Sequence, residues 1–248
     1  MNIGITCHPS HGGSGAVAAE LGKHLADRGH SVHFISYDLP FRLDAIRPNL
    51  QFHQVEVPSY PLFVYPPYQL ALANKMAEVV QYEALDILHA HYAVPHAASA
   101  YLARAMTGGR VKVITTLHGT DVTLVGADPS FAGIIKFLLE TSDGVTAVSD
   151  DLKRVTIERF GVTRPIERIY NFIDPVVCQR VPAPDLARRF TPGKERVALH
   201  ISNFRPLKRV PLAVEAFAAA AHDIPAVLLL AGDGPEAGEA RATARRLR

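Results

Sequence analysis

Short runs of β-branched and apolar residues alternate with segments of helical periodicity along the whole chain, and that alternation confines it to an α/β architecture on a parallel sheet. The first unit sets the pattern. Residues 2–7 read as a buried strand and 8–15 as a Gly-rich turn, after which Val17, Leu21 and Leu25 recur every fourth residue on one face of a helix that Gly29 stops. Further strands are expected at 31–36, 86–91, 111–116, 144–148 and 166–170, with helices near 68–82, 95–106, 131–140 and 150–160. Residues 1–173 thus form one doubly wound, Rossmann-like domain.

Residues 174–195 carry Pro175, Pro182, Pro184 and Pro192, which interrupt regular structure and mark an interdomain linker with room for one short helix. A second unit, 196–248, follows. Its strand at 197–201 leads to a helical stripe of Val210, Ala213, Val214, Phe217 and Ala221, then an apolar strand at 226–231, the turn Gly232-Asp233-Gly234-Pro235 and a closing helix. Two parallel strands with two helices cannot cover both faces of a sheet, so 228–230 are expected near an open apolar edge and this domain reads as incomplete.

Charge narrows the partners. Lys+Arg 26 against Asp+Glu 24 gives +2, with both signs interspersed, so there is no basic face of the kind nucleic-acid binding needs. No apolar run reaches the roughly 18 to 20 residues that span a bilayer, and the N-terminus lacks the pattern of a secretory signal, so a cytoplasmic protein without membrane association is expected. Cys7 and Cys178 lie far apart with no CxxC spacing, which suits reduced thiols better than a disulfide or zinc framework. The sequence leaves room for a homo-oligomer.

Three loops carry residues that chemistry could use. Gly12-Gly13-Ser14-Gly15 lies between a strand and a helix whose N-terminal N–H groups can receive an anion; the loop reads either as a phosphate or diphosphate cradle or as a tight turn with Ser14 as N-cap. It matches neither GxGxxG nor GxxxxGK[ST], and no acidic residue follows the second strand at the position a nicotinamide cofactor requires. In 115–121, Thr116, His118 and Asp121 fall at the carboxyl edge of a strand, where open α/β sheets bind ligands. His118 reads as a hydrogen-bonding or acid/base group or as a buried imidazole bonded to backbone, and Asp121 as a cap or orienting group. His89 and His91 share one strand face, which permits metal ligation, but no third ligand converges and no metal site is expected. Arg205 and Lys208 follow the first strand of the second unit, where they can neutralise a diphosphate or form a solvated basic helix start; cations at a positive helix terminus favour the former. No Asp-x-Asp triplet is present to hold a metal-bound sugar nucleotide.

Together GITCHPSHGGSG, LDILHAHYAVPH, TTLHGTDVTLVG, TAVSDDLK, IYNFID, HISNFRPLKRV and LLLAGDGPE resemble the family-4 retaining glycosyltransferases of the GT-B fold over essentially the whole chain. Within that family, HYAVPH, LHGTD, YNFID and SNFRPLKR resemble the subgroup that moves N-acetylglucosamine from UDP-GlcNAc to the hydroxyl of L-malate in the first step of bacillithiol biosynthesis. The resemblance implies a GT-B enzyme with UDP-GlcNAc as co-substrate and no metal. It implies that Gly12, Gly13 and Gly15 approach the donor diphosphate, that Arg205 and Lys208 stabilise the departing charge and that His118 holds the sugar. Ser14, Tyr92, Thr116, Asn171 and Arg205 would bind the dianionic acceptor. Attack from the front face, with the leaving phosphate helping to accept the hydroxyl proton, needs no carboxylate nucleophile. Where many relatives carry Asn-Gly-Val-Asp, this chain has Asn171-Phe172-Ile173-Asp174, in agreement with the subgroup. The family's paired glutamates of the second domain have no counterpart before Arg248, so a noncatalytic malate-binding remnant stands beside the enzyme reading, as does a related transferase with another acceptor.

Overall fold

Seven strands, β1 (Asn2–Thr6), β2 (Ser31–Ser36), β3 (Leu50–Gln54), β4 (Ile87–His91), β5 (Lys112–Leu117), β6 (Gly144–Ala147) and β7 (Ile166–Arg168), pair in parallel in the order β3-β2-β1-β4-β5-β6-β7. They belong to the first of two units, Met1–Asp174 and Pro175–Arg248, of a computed structural model that describes residues 1–10, 12–43, 47–57, 61–62, 64–182, 184–191, 193 and 195–247. His11 of the glycine-rich segment and Pro192 of the linker lie outside the described residues.

Alternation along β2 shows how the sheet is covered. Phe34 points to one face, where it packs with Ala18 and Ala19 of α1 (Gly13–Asp27), and Ile35 to the other, where Leu72 and Met76 of α2 (Tyr68–Tyr82) and Ala100 and Ala103 of α3 (Ala98–Met106) meet it. Burial on both faces explains the near-continuous apolar runs of the central strands. Beyond β5 lie α4 (Thr120–Thr123) and α5 (Pro129–Thr141); α6 (Asp150–Phe160) follows β6, and Leu139, Val145, Leu152 and Phe160 join them in one cluster. The start of α6 is fixed by Ser149, whose hydroxyl accepts from the Leu152 N–H at 3.1 Å.

The strand order reverses between β1 and β4. At such a switch point the loops leaving the two strands diverge to opposite faces, opening a crevice at the carboxyl edge. The glycine-rich segment leaves β1 there, and Tyr92 leaves β4.

The edge strand β3 is absent from the sequence-based expectation because Leu-Gln-Phe-His-Gln is half polar and only partly buried, as an edge permits. The helix expected at 95–106 is preceded by a π-type turn at Ala93–Ala97. β7 is shorter than expected, ending at Arg168.

The second unit holds α7 (Pro184–Phe190), β8 (Arg196–Ile201), α8 (Val210–Ala220), β9 (Ala226–Ala231) and α9 (Ala237–Arg246), with β8 and β9 parallel from Arg196↔Ala226 to Ile201↔Ala231. Among the described residues β9 pairs only with β8, so 228–230 lie half-buried at an open edge, and apolar exposure is greater on β8, where Leu199 is 59% and Ile201 72% accessible. Leu228 and Leu230 line a cavity with Val214 and Phe217 of α8.

Candidate active site

Parallel register builds the centre of the crevice. His89 of β4 pairs with Ile114 of β5 and His91 with Thr116, so each histidine meets, one pleat farther along the neighbouring chain, the residue two positions on. His89 Nε2 lies 2.7 Å from the Thr116 hydroxyl, and His91 Nδ1 lies 2.8 Å from His118 Nε2. Thr116 also bonds Thr146 at 2.7 Å. The two histidines are therefore hydrogen-bond partners of neighbouring polar groups.

Tyr92 stacks on His118, with centroids 5.6 Å apart and planes inclined by 21°, and its hydroxyl lies 2.7 Å from the Thr120 hydroxyl. Its backbone has φ +91°, a strained value for a residue with a side chain, which costs on the order of 1–3 kcal/mol and is held by the surrounding contacts. His8, from the loop after β1, packs edge-on against Tyr92 at 5.0 Å and His96 at 4.5 Å. That contact joins the glycine-rich loop to the β4 and β5 loops. His96 donates from Nδ1 to the His91 carbonyl at 2.6 Å.

Burial sets the protonation of this cluster. It pushes His118 and His89 down to about 4 and His96 to about 3, while His91 is lowered well below its ordinary value, first by burial and then by its histidine neighbours. At neutral pH these rings are uncharged. His118 accordingly offers a ligand a neutral hydrogen-bonding nitrogen, Nδ1, because Nε2 is committed to His91. Asp121, at the start of α4, is raised to about 6 by burial, against the opposing bonds that its Oδ1 accepts from the Gly119 N–H at 2.9 Å and the His118 N–H at 3.2 Å. It orients the loop, as expected of a capping carboxylate. Its Oδ2, with His91 Nε2 and His96 Nε2, is buried without a partner among the described residues.

The helix start beside this cluster is open. Gly12 is the N-cap of α1, with an extended backbone, no side-chain cap bond and no acidic residue in the first turn. A Cβ on Gly13 would meet nothing within 4 Å, whereas one on Gly15 would lie 2.5 Å from the His8 carbonyl oxygen. Gly15 is thus required by packing, and Gly13 leaves the uncapped N–H groups of a 15-residue helix accessible to an anion. Ser14 sits inside the first turn and caps nothing, which removes the N-cap reading. Thr116 and Asn171 come together on the wall of a cavity of about 420 Å³, which His89, His91 and Phe172 also line.

In the second unit Arg205 and Lys208 are exposed on a loop whose anchor is Phe204, 5% accessible and packed with Val210, Ala237 and Ala240. The Phe204 N–H donates to the Asp233 carbonyl at 3.0 Å and its carbonyl accepts from the Glu236 N–H at 2.9 Å. Gly232, at φ +133°, passes so close to the Ser202 carbonyl that a side chain would collide with it. The Gly-Asp-Gly-Pro-Glu turn therefore sets the path of the loop that presents both cations, and neither forms an ion pair among the described residues. Sequence reasoning missed His8, His96 and Thr120 as members of the cluster; the histidine-rich spacing of HAHYAVPH is a signal for His96 alone, and none marks His8 or Thr120.

The chain is similar to known proteins in sequence and in fold. The chain is 54% identical over 237 residues to N-acetyl-alpha-D-glucosaminyl L-malate synthase of Bacillus anthracis, covering 95% of this chain and 62% of that protein, so it spans somewhat under two thirds of the relative's length. Among solved structures, a glycosyltransferase from Rickettsia africae ESF-5 matches with a TM-score of 0.75 at 22% identity, over 99% of this chain and 64% of that one. Anabaena HepE in complex with UDP-glucose matches with a TM-score of 0.73 at 16% identity, over 100% and 66% of the two chains. These likenesses agree with the α/β fold of the GT-B glycosyltransferases. The sequence pattern of Glycosyltransferase Family 4 covers residues 11–177, the stretch that carries the open α1 start, the Tyr92–His118 stack and the cavity at Asn171, and the chain belongs to that family.

Proposed function

We propose that this chain is the acceptor-side domain and the beginning of the donor-side domain of a retaining glycosyltransferase that moves N-acetylglucosamine from UDP-GlcNAc to the hydroxyl of L-malate. The observation that carries the reading is the uncapped start of α1 beside Tyr92 stacked on a neutral His118: an anion receptor and an uncharged polar group at one sheet edge suit a diphosphate-linked sugar. The 54% identity to the N-acetyl-alpha-D-glucosaminyl L-malate synthase supports the choice of sugar and acceptor.

In this reading Gly12, Gly13 and Gly15 let the donor diphosphate approach the α1 N–H groups, and Arg205 and Lys208 neutralise the charge that develops as UDP departs. His118 holds the sugar through Nδ1. Ser14, Tyr92, Thr116, Asn171 and Arg205 receive the malate dianion. A leaving phosphate oxygen takes the malate hydroxyl proton as the new glycosidic bond forms on the face from which UDP leaves, so retention follows without a covalent enzyme intermediate. Cationic side chains in place of a divalent ion make the transfer metal-independent, and a cytoplasmic location matches the substrates. Among the described residues no helix is long and apolar enough to cross a membrane.

The test is UDP release from UDP-GlcNAc with L-malate, sugar acceptors and inositol phosphate compared in the presence of a chelator. Malate-dependent release that survives chelation is expected. Malate binding without UDP release, or preference for another acceptor, overturns the assignment.

A further inference from the structure

A second cluster of ligand-type side chains lies away from the crevice. His33 stands on β2 opposite Gln51 of the edge strand β3, so His53 is its diagonal neighbour two residues along, and the two rings stack at 5.3 Å with His33 Nδ1 and His53 Nε2 3.0 Å apart. Glu83 comes from the end of α2, where its carbonyl accepts from the Asn2 side-chain amide at 2.8 Å. Asn2 opens β1, which places Glu83 near the amino edge of the sheet, opposite the edge that holds His118. One ligand atom from each of His33, His53 and Glu83 lies within 4.8 Å of the other two.

We propose that His33, His53 and Glu83 form a binding site for a divalent transition-metal ion of the zinc class that fastens the edge strand β3 to β2 and to the end of α2. Two imidazoles and a carboxylate are the borderline donor set such ions select, whereas calcium and magnesium prefer oxygen alone. Zinc bonds of about 2.0–2.2 Å place tetrahedral donors about 3.3–3.5 Å apart, so the present 3.0 Å between the two nitrogens needs only a small opening once the ion replaces the shared proton. The outer shell is already in place. The Ser31 hydroxyl lies 3.0 Å from His33 Nε2, where it can accept from that nitrogen in the tautomer whose Nδ1 ligates the ion. Burial holds both imidazoles below their ordinary pKa, partly opposed by Glu83, and so keeps them in the neutral form that binds metal. Lys75, the nearby cation, is engaged by Glu78 at 2.7 Å. His33 is buried, while His53 and Glu83 are half-buried, which gives an ion access from solvent. Because the three ligands come from separate segments at the edge opposite His118, the ion acts on stability by binding the folded form and takes no part in glycosyl transfer.

The test uses the 248-residue chain, stripped with a chelator and titrated with Zn²⁺ by calorimetry and thermal unfolding, with Co²⁺ absorption reporting the ligand geometry. One equivalent is expected to bind and raise the unfolding temperature. His53→Ala and Glu83→Gln should each weaken that binding about 100-fold or more and abolish the temperature shift, and Ser31→Ala should weaken it about 10-fold. Should His53→Ala fail to fold, Glu83→Gln, at a half-buried helix end, gives the same readout. Absence of any Zn²⁺-dependent shift in the unmodified chain, or undiminished affinity in the folded variants, overturns the site.

Discussion

His91 Nδ1 meets His118 Nε2 at 2.8 Å across β4 and the loop after β5, with the rings stacked 5.1 Å apart. The bond holds the plane of the ring proposed to hold the sugar. His91 is 1% accessible and its Nδ1 is committed to His118, so it positions His118. Replacing His91 with Ala should lower kcat for transfer about 10- to 100-fold, the scale of a reacting group displaced by roughly 1 Å, with a smaller change in KM for malate. His91→Asn, which can restore one ring-directed bond, should recover part of the loss. Steady-state kinetics on folded variants decide it, and equal rates for all three proteins would deny His91 any positioning role.

Acid should destabilise the first unit well above the pH at which carboxylates titrate. His8, His89, His91, His96 and His118 are all lowered by burial from 6.5, with His118 and His89 near 4. Below pH 6.5 the unfolded chain binds more protons than the folded one, so stability is present above that pH and falls as pH drops toward 4. Asp121, raised to about 6 in the fold, works in the opposite direction between pH 6 and its ordinary 3.8, but it is one group against these five and the likewise lowered His33 and His53. Urea midpoints at pH 7.5, 6 and 5 should decline steadily, and a flat profile would show that the imidazoles are not held neutral by the fold.

Much of this arrangement is legible in the residues themselves. α6 matches its expected bounds because Ser149 and Gly161 mark its ends, and α2 because its apolar stripe is long and unbroken. α4 was not readable: a four-residue turn in Thr-Asp-Val-Thr has no period, and its start depends on Asp121 accepting from the two preceding N–H groups. His118 and Tyr92 stand out through the family resemblance, but the His91–His118 bond follows from the pairing of His91 with Thr116, and register between strands 25 residues apart is a tertiary fact. The same holds for His33 and His53, whose pairing required an edge strand too polar to recognise.

Gly13 and Gly15 should separate ligand binding from packing. Gly15→Ala places a methyl 2.5 Å from the His8 carbonyl oxygen and is expected to cost about 1–3 kcal/mol by forcing the loop apart. Gly13→Asp enters open space at an uncapped helix start and should stabilise by about 0.3–1 kcal/mol through the helix dipole. The same carboxylate would repel a diphosphate, so UDP-GlcNAc binding should weaken sharply while the melting temperature rises. A stabilised Gly13→Asp variant with normal donor affinity would place the diphosphate elsewhere.

Lys208 offers the cleanest separation of charge from fold. It is exposed at the end of a short 3-10 turn, and the contacts that hold its loop belong to Phe204, Gly232 and Glu236. Lys208→Ala should therefore change stability by no more than about 0.5 kcal/mol. If its ammonium stabilises the departing diphosphate, transfer should fall by about two orders of magnitude, the loss typical of removing one preorganised donor to developing charge. Phe204→Ala, by contrast, empties the small core under the loop and should lower the unfolding temperature of the second unit before any effect on charge is felt. A Lys208→Ala protein that melts normally and turns over at the unmodified rate would leave Arg205 to carry the leaving-group charge alone.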